Sequence, residues 1–240
     1  MHYFGFNPDS FQNYATKHWG ISSYEFEQYE KVQNKLYVQG AFYTPNIIET
    51  STRNMTQLSI FDKMAQDRIL YIGGVVNDTM STVVTAQLMY MDNLIEEDIT
   101  LYIDSPGGSV KSGLTIYDIV QYINSDTITV CTGMGASMGS ILTGMGTKGK
   151  RFILPNARIM IHQVSSGAEG HVKDMNISFN EAIKYNDLLF GMLAEFTGKT
   201  KEEILAVAER DLWLNAQESV DFGIVDGIIR SKKDLQTLIK

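Results

Sequence analysis

The sequence predicts an α/β fold built on a parallel β-sheet, and two observations carry that prediction. From residue 68 onward, short apolar runs alternate strictly with longer amphipathic segments. Strands and the helices that cross between them are encoded in this way in parallel sheets. The runs also end in turn-forming clusters, Gly73-Gly74 and Asp104-Ser-Pro-Gly-Gly108, which stop a strand where the chain must reverse.

Residues 1–45 differ from the rest of the chain. They are rich in Tyr, Phe, Asn, Gln and Glu and poor in the Leu and Val that build a core, so they are expected to form an appended segment. Asn7-Pro8-Asp9-Ser10 has the make-up of a helix start, with Phe11, Tyr14 and His18 at helical spacing. The segment ends near Thr44-Pro45-Asn46, and residues 46–240 form the main domain. Arg68–Gly73 reads as a buried strand. Ser81–Asn93 carries Val83, Val84, Leu88 and Met91 on one helical face, with Leu94 just beyond and Ser81 placed to cap it. Ile99–Ile103 is the next strand and Val110–Asn124 the next helix, its apolar face formed by Leu114, Ile116, Ile119, Val120 and Ile123. Thr127–Cys131 is a strand, Ser137–Met145 a helix, and Arg158–Ile161 a strand that runs straight into His162. A polar, amphipathic stretch over 171–197, closed by Gly198, is long enough to project from the body as a single helix. Lys201–Glu209 and Ala216–Phe222 are shorter helices on either side of Asp211-Leu-Trp-Leu214.

Composition narrows the function classes. Of the 240 residues 44% are apolar and 20% charged, ordinary values for a globular protein. The net charge of -8, without any basic stripe, argues against a nucleic-acid partner, which would need clustered Lys and Arg. A single cysteine, Cys131, excludes an intrachain disulfide framework and a Cys-based zinc site. Its place in a β-like run marks it as a small buried side chain. The N-terminus lacks the charged and apolar regions of a secretory signal, and no apolar stretch approaches the roughly 18 to 20 residues of a membrane span. A cytoplasmic protein with no membrane contact is expected. There is no Gly-x-x-x-x-Gly-Lys-[Ser/Thr] nucleotide loop.

The residues that carry chemistry begin with Gly135-Ala136-Ser137-Met138-Gly139, a Gly-x-Ser-x-Gly pattern. Its small flanking residues allow a serine to sit on a tight strand-to-helix turn with its hydroxyl exposed. The plain alternative is a serine that merely caps a helix. Only four histidines exist, and His2 and His18 lie in the appended segment. A base for Ser137 must therefore be His162 or His171. His162 follows a strand end, where parallel sheets place their ligands, and is the better placed of the two. No acid lies between Ser137 and His162, and only Glu169 before His171, so the Ser-acid-His order of α/β-hydrolases fails for His162. A downstream carboxylate remains: Asp174, Asp187 or Asp211. Asp211 precedes the apolar Leu212-Trp-Leu214, whereas the other two sit on the polar projecting stretch. The glycines of the turn at 104–108 allow backbone N–H groups close to a ligand, as an oxyanion hole requires.

Several longer motifs in register carry a resemblance. Ser-Pro-Gly-Gly-Ser-Val (105–110), Gly-Ala-Ser-Met-Gly (135–139), Lys-Gly-Lys-Arg-Phe-Ile-Leu-Pro-Asn-Ala-Arg-Ile-Met-Ile-His-Gln (148–163) and Glu-Arg-Asp (209–211) resemble the proteolytic subunits of Clp proteases. The likeness runs from about 46 to 230, with 25 positions from Ser137 to His162 and 49 from His162 to Asp211. It implies a crotonase-like α/β fold with a protruding handle helix at about 171–197. It also implies a serine endopeptidase, assembled as a homo-oligomer of two stacked heptameric rings that cleave unfolded proteins. Ser137, His162 and Asp211 take the triad roles, and the amides of Gly107 and Met138 line the oxyanion hole. Arg210 matches an inter-ring contact. Tyr102 and Phe152 match positions near the clefts where an AAA+ unfoldase of the Clp type docks. No cofactor is implied for this chain; ATP is used by the unfoldase.

The sequence departs from the family's pattern after His162-Gln163, where Val164 replaces a usual proline and Ser165–Gly170 replaces a more glycine-rich run. His171 stands where Gln is common, and the 45-residue extension is longer than usual, which suggests a propeptide or accessory segment. Two other functions fit part of the pattern: a structural ring paralogue without activity, and a crotonase-like enzyme acting on a CoA ester. A Ser-Lys signal-peptide peptidase is disfavoured, since no membrane anchor is present.

Overall fold

The computed structural model describes residues 46–50, 55–165 and 171–239. The appended segment expected over 1–45 lies outside the described residues, as do Ser166–Gly170. The chain divides into a unit ending at Ile60 and a larger one from Phe61 onward. The described part of the first is an antiparallel pair, β1 (Asn46–Thr50) and β2 (Met55–Ser59), with Ile47 opposite Leu58. β2 runs directly into α1 (Ile60–Gln66).

The second unit is built on a mostly parallel sheet, as the alternation predicts. Its main path is β3 (Ile69–Gly73), β4 (Ile99–Ser105), β5 (Thr127–Ala136), β6 (Arg151–Ile153) and β9 (Gly227–Ile228), all parallel. Between them run α2 (Asp78–Leu94), α3 (Val110–Tyr122) and α4 (Met138–Gly144). β5 is twice the length expected from its apolar run, because it serves two neighbours. Thr129–Cys131 pair with β6, and Met134–Ala136 pair with β7 (Arg158–Ile161). β7 in turn carries the antiparallel β8 (Leu212–Leu214), so the sheet forks, with the β7–β8 arm leaving at the end of β5. The long stretch after the fork is a single helix, α5 (Val172–Thr197), followed by α6 (Lys201–Val207), α7 (Ala216–Phe222) and α8 (Lys232–Leu238).

The alternation of side chains on the strands divides the core in two. Ile99, Leu101 and Ile103 of β4 are fully buried and join Leu88, Ile116 and Leu142 in the main cluster. On the other face Ile128 and Val130 of β5 meet Phe152, Ile229 and Leu235. One cap differs from expectation. α2 begins at Asp78 with Asn77 as its N-cap, Asn77 Oδ1 accepting the Met80 N–H at 2.9 Å. Ser81 lies one turn inside the helix and is buried. Asn is as strong a cap as Ser, and the earlier start adds a turn of helix. Cys131 is buried without exposure, and burial pushes its thiol up to about 12, so it is an inert core residue.

Candidate active site

Ser137 stands at the joint between β5 and α4. Its backbone has φ 54° and ψ −123°, a conformation that L-residues seldom adopt, and its side chain makes no capping hydrogen bond. The plain role of helix cap is therefore not the one it fills. The amide donates to the Met160 carbonyl of β7 at 2.9 Å, which pins the turn to the neighbouring strand. The tight turn projects the hydroxyl outward, as a nucleophile elbow does.

His162 is the first residue beyond β7, and its Nε2 lies 2.8 Å from Ser137 Oγ. Asp211 is the residue just before β8. Because Ile161 pairs with Leu212 in the antiparallel ladder, His162 and Asp211 are the next cross-strand neighbours. Asp211 Oδ1 is 3.5 Å from His162 Nδ1. With its proton on Nδ1, toward Asp211, the neutral ring leaves Nε2 to accept the serine hydroxyl. The other acids are elsewhere: Asp187 is paired with Lys201, and Asp174 sits exposed in the first turn of α5. His171 precedes α5 and makes no side-chain cap.

The glycine turn after β4 lies against this joint. Gly107 has φ +90°, and a Cβ there would fall 2.7 Å from both the Ala136 carbonyl and Ser137 Cβ, and 2.9 Å from the Met138 nitrogen. Only glycine fits without moving the nucleophile. The Gly107 amide is occupied, however, donating to Ser105 Oγ at 3.1 Å, and the residue is buried. Ser105 Oγ in turn donates to the Gly74 carbonyl at 2.6 Å. Gly108 is the exposed member of the pair and lines the cavity beside Ser137, Met138 and His162. The Gly107 N–H expected at an oxyanion hole is thus engaged inside the turn, which leaves Gly108 as the residue of the pair that faces the cavity.

That cavity, of about 50 Å³, is walled by Ile141 of α4, by Val164, and by Leu189, Phe190 and Leu193 of α5. The amphipathic character of α5 was visible in the sequence, but which face would meet the serine was not. Of the remaining predicted residues, Arg210 is exposed next to Asp211. Tyr102 is half-buried against the second core cluster. Phe152 is only 2% exposed and belongs to that cluster's interior, so its ring is not free for a docking partner, although the family resemblance implied a position near the docking cleft. A larger cavity of about 360 Å³, between Tyr117, Met145, Arg151 and Phe196, contains none of the three catalytic candidates. No group of side chains suited to a metal ion occurs among the described residues.

The family model for Clp protease matches residues 52–232. The chain belongs to the Clp protease family. Three proteins named ATP-dependent Clp protease proteolytic subunit illustrate the likeness. That of Porphyromonas gingivalis is 37% identical over 226 residues, covering 94% of this chain and 99% of the relative. That of Bacteroides fragilis is 40% identical over 225 residues, covering 93% and 100%. That of Ligilactobacillus salivarius is 42% identical over 193 residues, covering 80% and 98%. Membership in the Clp protease family leaves the CoA-ester reading without support. No helix among the described residues is long and apolar enough to cross a membrane.

Proposed function

We propose that this chain is a serine endopeptidase, the proteolytic subunit of an ATP-dependent Clp complex in the cytoplasm. The observation that carries the mechanism is the 2.8 Å contact between His162 Nε2 and Ser137 Oγ at a strained strand-to-helix joint. His162 takes the hydroxyl proton as Ser137 attacks a peptide carbonyl, and Asp211 holds the imidazole tautomer and stabilises the imidazolium. The amides of Gly108 and Met138 receive the developing oxyanion, a contribution of about 3 to 4 kcal/mol per donor in known hydrolases. His162 then gives its proton to the leaving amine, and water releases the acyl-enzyme. The apolar walls beside Ser137 favour a small or medium apolar side chain ahead of the cleaved bond.

The relatives' name supports a separate ATPase partner, since this chain has no phosphate-binding loop of its own. We take that partner to be an AAA+ unfoldase and the assembly to be two stacked heptameric rings. Tyr102 would then lie near the docking cleft and Arg210 at the inter-ring contact. Such an enzyme cleaves short peptides without ATP and folded proteins only with its partner.

Ser137→Ala tests the chemistry. Hydrolysis of a fluorogenic peptide by the assembled protein should fall by at least about 1,000-fold, and fluorophosphonate labelling should vanish. Unchanged hydrolysis in this variant would remove Ser137 from the mechanism, and a wild-type ring that neither labels nor cleaves would favour a structural subunit.

A further inference from the structure

β7 ends at Ile161, and the next four residues, His162 to Ser165, have no strand partner. They nevertheless carry the catalytic base and one wall of the cavity. Among the described residues, a single hydrogen bond holds their backbone to the body: the Val164 N–H donates to Asn186 Oδ1 at 3.0 Å. Asn186 is on α5, and the residues three, four and seven positions on, Leu189, Phe190 and Leu193, are the ones that wall the cavity. The helix thus presents one stripe to the site, apolar along most of its length and ending in an amide at its outer edge.

The consequence is mechanical. Val164 is two residues from His162 and itself lines the cavity. A backbone free of sheet contacts samples many φ/ψ wells, and fixing it needs a bond to something rigid. α5 is 26 residues long and anchored by buried Leu189, Phe190 and Leu193, so it is rigid where Asn186 sits. The Asn186 amide supplies an acceptor placed by that helix. Loss of the acceptor leaves a half-buried N–H unpaired and lets the segment swing away from α5, widening the cavity and loosening His162.

We propose that Asn186 is a positioning residue of the peptidase site. Acting through the Val164 amide, it clasps the segment 162–165 onto α5 and sets both the cavity wall and the approach of His162 to Ser137. This rests on the serine-peptidase mechanism, but the clasp has a readout that does not depend on catalysis.

The experiment uses the full-length assembled protein. Amide hydrogen exchange over 162–165 is compared in wild type, Asn186→Ala, Asn186→Asp and Val164→Pro. Asn186→Ala should lose protection at Val164, and Asn186→Asp, which keeps a side-chain oxygen acceptor, should retain most of it. On an unstructured fluorogenic peptide, Asn186→Ala should lower kcat/KM roughly tenfold, the scale of one lost hydrogen bond with its partner left unpaired. Much of that loss should appear in KM. Val164→Pro removes the N–H itself, so adding Asn186→Ala to it should cost nothing further, whereas two independent roles would multiply. The aspartate variant should recover most of the activity at unchanged thermal stability. Equal exchange protection in wild type and Asn186→Ala would overturn the clasp. Lost protection with unchanged kcat/KM, or multiplicative effects in the double variant, would overturn the positioning role. If Ser137→Ala retained activity, the peptidase mechanism would fall while the exchange data still judged the clasp.

Discussion

At the scale of single residues, Ser137 bears a conflict between conformation and chemistry. Its φ of 54° and ψ of −123° suit glycine, yet the proposed mechanism needs a hydroxyl there. Replacing it by Gly or Ala removes the nucleophile in both cases, but only Gly also releases the strain. Ser137→Gly should therefore be more stable than Ser137→Ala by about 1 kcal/mol, or roughly 2 to 4 °C in Tm. Calorimetry on the two variants checks this, and equal melting temperatures would mean that the turn is relaxed. The sequence made the serine legible through its small neighbours, and His162 through the scarcity of histidines. It left three acids open. What separates Asp211 from Asp174 and Asp187 is a cross-strand pairing between residues some 50 positions apart, which no local pattern encodes. Val164 illustrates the opposite case. It was visible as a departure from an expected proline, but its meaning lay in an N–H that proline lacks and that Asn186 accepts.

Among the elements, the alternation of strands and helices gave the parallel core directly, because each is a local period. The shorter pieces were harder to see. β6 has three residues and β9 two, too few for any periodicity to register, and both were fixed by the strands beside them. The fork in β5 was equally hidden, since its second half, Thr132 to Ala136, is rich in glycine. The glycine turn after β4 offers a test of how one element braces another. Gly107 and Gly149 have nearly the same φ, +90° and +89°, but a Cβ at Gly149 would meet nothing within 4 Å. Ala at either site carries the same backbone strain, about 1 to 2 kcal/mol. Only at Gly107 would it also push against Ser137 and Met138. Gly149→Ala should lose stability and keep peptidase activity per folded molecule, whereas Gly107→Ala should lose activity by at least about tenfold as the donors shift. Equal activity in the two variants, normalised to folded protein, would show that the turn does not shape the site.

For the whole molecule, one buried ion pair closes the C-terminal edge of the sheet. Arg151 is 4% exposed and meets Asp226 at 2.6 Å, while also donating to the Phe196 carbonyl at the end of α5. Burial alone would raise the Asp226 pKa, but hydrogen bonds from the Arg151 guanidinium and amide, and from the Gly149 amide, outweigh it and hold the carboxyl below its usual range. A depressed folded-state pKa stabilises the fold above the unfolded value, near 4, and that stability is lost as the pH falls through the folded value. Asp226→Asn should flatten the acid limb of a stability profile below about pH 4. Arg151→Met, which strands the carboxylate, should cost about 3 to 5 kcal/mol at neutral pH. Denaturant titrations across pH would show it, and an unchanged acid limb in Asp226→Asn would assign the pH dependence elsewhere. The β7–β8 arm carries a further consequence. β8 is a three-residue edge strand whose only partner among the described residues is β7, and Asp211 hangs from its open end, 61% exposed. Such ends fray far more readily than a core melts. On the proposed mechanism catalytic competence is then a local equilibrium, and peptidase activity should fall on heating before the far-UV circular dichroism does. On the same mechanism, a contact that covered that edge would raise activity without touching the substrate.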